Sequence, residues 1–278
     1  MRWAAALALL PTLALAQGTD GKPAERDLMV IAEMLPGRWD NGEQALFEPR
    51  MKVPVGERHA HEVVTIERKA AGLNRVVLFA LKGAEATQLT LTPVDAVTVR
   101  MDVAKGCAVL WHREAGQFRG VAEAGCAQPT AMSEWMLAAD RLWIGAPGVV
   151  PAKYRRATLY HCYVDMPGAS GGRAIPFKRI DGLDLWDTGE ISWFDSPETP
   201  SRRLGLQLRN VQWQINNAPG VFARDSLTMY LVEKTPDGGE KSLLYAWTTK
   251  GAARIGVNGI WALANCAREA LKDAKPEF

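Results

Sequence analysis

Beyond its first residues this chain has no long apolar run, so no helical membrane span is expected in it. Catalytic signatures are missing too. There is no G-x-S-x-G, no P-loop and no H-E-x-x-H, which leaves ordinary hydrolases and nucleotide enzymes without support. Cysteine is scarce, four in 278 residues, and no two are spaced C-x-x-C, so a structural metal site is not indicated. Neither charge sign dominates: 33 Lys and Arg face 31 Asp and Glu, and no basic stripe points to nucleic acid. Helical periodicity is confined to Leu28, Ile31, Ala32 and Leu35, one short amphipathic helix that Pro36-Gly37 ends.

What is present begins with an export signal. Arg2, the apolar stretch WAAALALLPTLALA and small residues at Ala14 and Ala16 have the layout of a cleavable signal peptide over 1–16. No cysteine follows the cleavage point, so no lipid anchor is expected, and the mature protein is expected in the periplasm or outside the cell. Cys107, Cys126, Cys162 and Cys266 are an even set, which in an exported chain reads as disulfides. Of the three pairings, Cys107–Cys126 and Cys162–Cys266 are favoured: the first flanks a hairpin, and the second ties the start of the C-terminal region to its end.

From residue 60 onward the pattern has period two, clearest where Val97, Val99, Met101 and Val103 alternate with Thr98, Arg100 and Asp102. Similar runs at 62–68, 75–81, 87–92, 107–113, 117–122, 133–138 and 141–145 predict an antiparallel sandwich or barrel. Pro and Gly thicken at 145–151 and 167–173, placing a boundary near 150–170. Further strands are predicted at 158–164, 174–180, 183–187, 190–194, 204–215, 225–233, 242–248 and 253–263. In 204–215 the apolar phase slips between Leu208 and Val211, which predicts a β-bulge. The organisation read is a leader over 1–16, a barrel over 17–160 and a second β-rich region over 161–278. Ten tryptophans suggest wide cores or a stacking surface.

Four features in order resemble the CpcT/CpeT chromophore lyase family over roughly residues 25–160. The segment MLPGRWDNGEQ resembles the family's helix followed by G-x-[FW]-x-N-x-x-Q. His61 precedes a strand with Glu67 where the family has a glutamate, and Arg75 stands on the next strand like the family's arginine. GCAVLWHREAGQFRGVAEAGC resembles its cysteine-bearing hairpin, followed by Ser133-Glu134 and Asp140-Arg141-Leu142. Where the family has D-R-G-[FY], this chain reads DRLWIGAPG, and residues 161–278 have no counterpart in short members. The resemblance implies a calyx-like, lipocalin-like antiparallel barrel, a tendency to homodimerise, and binding of an open-chain tetrapyrrole (bilin) that is attached to a cysteine of an acceptor protein.

A bilin offers two propionates, which suit arginine, and pyrrole nitrogens, which suit a carboxylate. That nominates Arg75, Arg68 and Glu67, with Glu67 and His61 as the acid-base pair assisting attachment. Each has a plainer reading. Glu67 and Arg68 end a strand and could be solvated at a rim. His59 and His61 could form a metal pair with Glu67, but lack a third spaced ligand. His112 and His161 read as structural. Trp39 could stack on pigment or cap the barrel floor under the helix, and Asn41 and Gln44 could touch ligand or fix the following loop. Two function classes therefore stand: a bilin lyase or chaperone, and a non-catalytic periplasmic binding or interaction protein that keeps the barrel. An envelope structural role for the C-terminal region is a third.

Overall fold

The computed structural model describes residues 23–68, 76–81, 86–104, 106–126, 132–167, 177–212 and 225–269. The expected leader over 1–16, Arg75, Trp213 and Ile215 lie outside them. The described residues are mostly antiparallel β with two α-helices, and they form two hydrophobic cores, Ala24 to Tyr154 and Tyr160 to Cys266. No described helix is long and apolar enough to cross a membrane.

Helix α1 (Pro23–Met34) buries Ala24, Leu28, Ile31 and Ala32, the face its periodicity marks. Ten strands follow around it: β1 (Gly37–Asp40), β2 (Val63–Arg68), β3 (Val76–Leu81), β4 (Thr87–Pro93), β5 (Val99–Ala104), β6 (Cys107–Glu114), β7 (Gln117–Ala122), β8 (Glu134–Leu137), β9 (Arg141–Gly145) and β10 (Ala152–Arg156). From β2 to β10 each strand pairs antiparallel with the next. The sheet curls strongly, and both its ends pair with β1: four residue pairs join β1 to β2, but only Trp39↔Arg156 and Asp40↔Arg155 join it to β10. On the concave side, Trp39, Trp111, Phe118, Met101 and Leu137 pack with Leu28 and Ile31 of α1 and with Leu35 just after it into one core. Cys107 and Cys126 are bonded across the β6–β7 region, as their spacing suggested.

The first turn of chain after α1 needs glycine. Gly37 has φ +144°, and a Cβ there would lie 2.4 Å from an Arg156 guanidinium nitrogen. That guanidinium sits 4.2 Å over the Trp39 ring and donates to the carbonyls of Pro36 (2.6 Å) and Met34. Arg68 donates to Ala32 O at 2.7 Å. Two arginines thus satisfy carbonyls that the end of α1 leaves unpaired.

The second core lies between two four-stranded sheets. One has the order β12 (Phe177–Trp186), β11 (Leu159–Pro167), β18 (Leu263–Arg268), β17 (Arg254–Asn258); the other runs β13 (Thr188–Asp195), β14 (Arg203–Gln212), β15 (Asp225–Lys234), β16 (Glu240–Thr249). Cys162 and Cys266 are bonded and stand opposite each other on β11 and β18, as expected.

Three strand assignments change. The runs 174–180 and 183–187 are one strand, β12; Asp181-Gly182 reads as a turn, but Gly182 (φ +73°) sits in a bulge where the β11 register shifts between Cys162 and Val164. The run 253–263 is instead two strands. No bulge breaks β14: it pairs with β15 in unbroken register from Leu204 to Gln212. Leu204, Leu206 and Leu208 face the second core, whereas Val211 is buried on the other side, where the first unit abuts the strand. Burial on both faces produced the apparent slip.

The two units meet at Asp187, which links β12 to β13. Its carboxylate accepts from Thr158 N (2.7 Å) and Asn210 Nδ2 (3.3 Å), and its backbone pairs with Thr158 and Asn210. Arg155 donates to Glu43 and Asp225, and Lys250 joins Asp225 (3.3 Å) and Asp140.

Candidate functional site

A short helix, α2 (Gly42–Phe47), follows β1, and residues 48–62 return to β2. Asp40 Oδ1 accepts from Gly42 N at 2.8 Å and starts the helix. Asn41 is fully buried; its amide donates to Ala60 O (2.8 Å) and its Oδ1 accepts from Glu62 N (2.6 Å), fastening the end of the return loop to the start of α2. Gln44 reaches β10, accepting from Lys153 N at 2.8 Å and donating to Pro151 O at 3.2 Å. His59 closes the same frame, with Nδ1 2.7 Å from Glu48 and Nε2 3.1 Å from Val150 O.

Between this frame and the convex side of β9–β10 lies a groove of about 610 Å³. Its apolar wall includes Phe47, Met51 and Trp143; Lys153, Arg141 and Glu57 edge it, and β10 borders it at Tyr154, whose ring turns to the opposite face and belongs to the first core. The Lys153 ammonium stands 5.1 Å over the Trp143 ring, its direct neighbour in the β9–β10 register. The Tyr154 hydroxyl donates to Glu62 at 2.8 Å; burial first, and that carboxylate second, push its pKa well up, so it stays protonated. Burial would raise Glu48, but the backbone N–H and imidazole of His59 outweigh it and hold the carboxyl below its ordinary value. A groove of this size suits a small ligand. It offers planar stacking, two cations and fixed acceptors.

No family model, curated protein or solved structure matches the chain. The site therefore rests on its own geometry.

Gln44 is the sequence-nominated residue that lines the groove; Asn41 holds the loop behind it. Trp39 is fully buried, its Nε1 donating to Leu35 O at 2.9 Å, and belongs to the core under α1. Arg68 caps α1. Glu67 is exposed on the convex side of β2, where its neighbour Ile66 points inward. His61 lies before β2, up to about 20 Å away along an extended chain. Its Nε2 is 2.6 Å from Asp40 Oδ2; that hydrogen bond is the main reason its pKa is raised, against opposing burial. His61 and Glu67 do not converge. His59 and His61 turn to different carboxylates, Glu48 and Asp40, and among the described residues no three His, Cys, Asp or Glu are grouped to hold a metal. Sequence reasoning missed Trp143 and Lys153. A large aromatic on the outward phase of the Arg141–Gly145 strand was the one available signal.

Proposed function

We propose that the protein is an exported, non-catalytic binding protein that takes a linear tetrapyrrole, or a ligand of similar planar and anionic character, on a chromophore-lyase-like barrel. The observation that carries the reading is the groove beside Gln44, walled by Trp143 and Met51 and edged by Lys153 and Arg141. An aromatic wall suits the conjugated plane, and the two cations suit the propionates. The segment that carries the family resemblance, Gly37 to Gln44, builds one side of it. Against lyase chemistry stands the separation of His61 from Glu67, since an acid-base pair must reach the same reacting atoms. The reading includes cleavage of 1–16 and oxidation of both cysteine pairs outside the reducing cytoplasm.

The test mixes the mature protein with phycocyanobilin, alone and with an apo-phycobiliprotein, following visible absorbance and denaturing-gel fluorescence. A reversible spectral shift without faster covalent attachment is expected, and Trp143→Ala with Lys153→Glu should weaken it at least tenfold. No shift, or a shift indifferent to both substitutions, overturns the binding site. Accelerated attachment overturns the non-catalytic assignment and restores the lyase.

A further inference from the structure

Strand β16 inverts the usual arrangement of a sheet edge. Its inward positions carry Leu244 and Ala246, while Tyr245 and Trp247, the largest side chains on the strand, point outward at 67% and 70% exposure. Tyr230, directly across on β15, lies with its ring 6.4 Å from that of Tyr245 and inclined by 29°. The same outer face continues across β15 to β14, where Gln207 stands opposite Tyr230 and Arg209 opposite Thr228, itself opposite Trp247. At the far edge Trp193 lies over Gly205, whose added Cβ would fall 2.9 Å from the indole. The result is a flat aromatic face about three strand spacings, roughly 15 Å, across.

Arg209 says what could cover it. The side chain is half-buried against Gly189, yet among the described residues its guanidinium has neither a hydrogen-bond acceptor nor a carboxylate within ion-pair distance. Asp40 and Glu240 act on it only from farther off, Asp40 is already held by His61 and Gly42 N, and Arg50 adds a second positive charge nearby. A partly desolvated guanidinium without an acceptor is costly, and an anionic group would relieve that cost.

We propose that this face binds an anionic saccharide, its sugar rings lying on Tyr245 and Trp247 and a ring carboxylate meeting Arg209. A sugar presents a C–H face to an aromatic plane and keeps its hydroxyls in water, so it needs neither a pocket nor a free strand edge. A peptide adding to the free edge of β16 would leave Arg209, two strands in, without an acceptor. A nucleic acid would need a broader field of positive charge than a near-neutral chain provides. The site is distinct from the groove beside α2.

Isothermal titration with tetragalacturonate and with its neutral methyl ester tests this. The acid is expected to bind at least tenfold tighter than the ester. Trp247→Ala should weaken both by at least tenfold, while Arg209→Gln should erase the preference for the acid. The melting temperature should be unchanged by Trp247→Ala, since the ring is largely in solvent. Absence of binding at millimolar acid, equal affinity for acid and ester, or affinity indifferent to Trp247→Ala would each overturn the proposal.

Discussion

Asp187 offers the most direct quantitative test of how the two units are joined. The residue is 6% exposed, and burial raises its pKa from 3.8 to about 6 despite the Thr158 N–H, Asn210 and Arg155, all of which favour the anion. The folded protein therefore keeps this proton to about pH 6, while the unfolded chain releases it near 3.8. Between those values the native state binds more protons, so stability falls as pH rises and levels off above 6. A gap of that size corresponds to about 3 kcal/mol at most. Asn210 supplies a structural reason: its Oδ1 is buried without a partner, while its Nδ2 faces Asp187. If the Asn210 amide turns over, a neutral group at 187 can donate to that oxygen, and a carboxylate cannot. Asp187→Asn keeps an acceptor for Thr158 N and gains that donor. Urea denaturation of wild type and variant from pH 4 to 8 should show the variant more stable at pH 7, by about 1–3 kcal/mol, with the difference vanishing toward pH 4. A variant less stable at pH 7, or a difference that does not change with pH, refutes the reasoning.

Trp39→Ala should cost about 3–5 kcal/mol, because a fully buried ring and its hydrogen bond to Leu35 O are lost together; chemical denaturation reads this directly. The His61 imidazole should titrate above 6.5 in an NMR pH series and move down in Asp40→Asn. Its contribution to stability is complete below 6.5 and disappears as pH rises through the higher folded value. Replacing Cys162 and Cys266 together by serine should cost about 2–5 kcal/mol, since the bond closes a span of 104 residues, and non-reducing mass mapping of the wild type should recover both cysteine pairs.

Period-two strands were legible because one side of each faces a core. Val99, Met101 and Val103 are buried on a common side of β5, as their alternation implies. The strands β1 and β10 were not legible. In AKYRR the arginines are spent on distant groups, Arg155 on Glu43 and Asp225 and Arg156 on the end of α1, so buried positions read as surface. GRWD is too short to show a period, and its partners lie far along the chain. Of the site, Asn41 and Gln44 were found through the pattern around Trp39, but the wall they face comes from β9 and β10, which no local spacing connects to them.

The short strand β1 also dictates an order of events. Its second neighbour, β10, lies 117 residues later, since Trp39 pairs with Arg156. Until residue 156 is in place, β1 and the end of the curled sheet each present an unpaired row of backbone donors and acceptors, the kind of edge that recruits foreign strands. The join between β1 and β10 rests on two residue pairs and on the Ala157 N–H donating to Arg38 O at 2.8 Å. The seam is thus the last part of the first unit that can be completed and the first that can open, and it borders the groove on the β10 side. A ligand seated against Gln44 and Lys153 would hold α2 to β10 and so act as a clasp on the whole sheet.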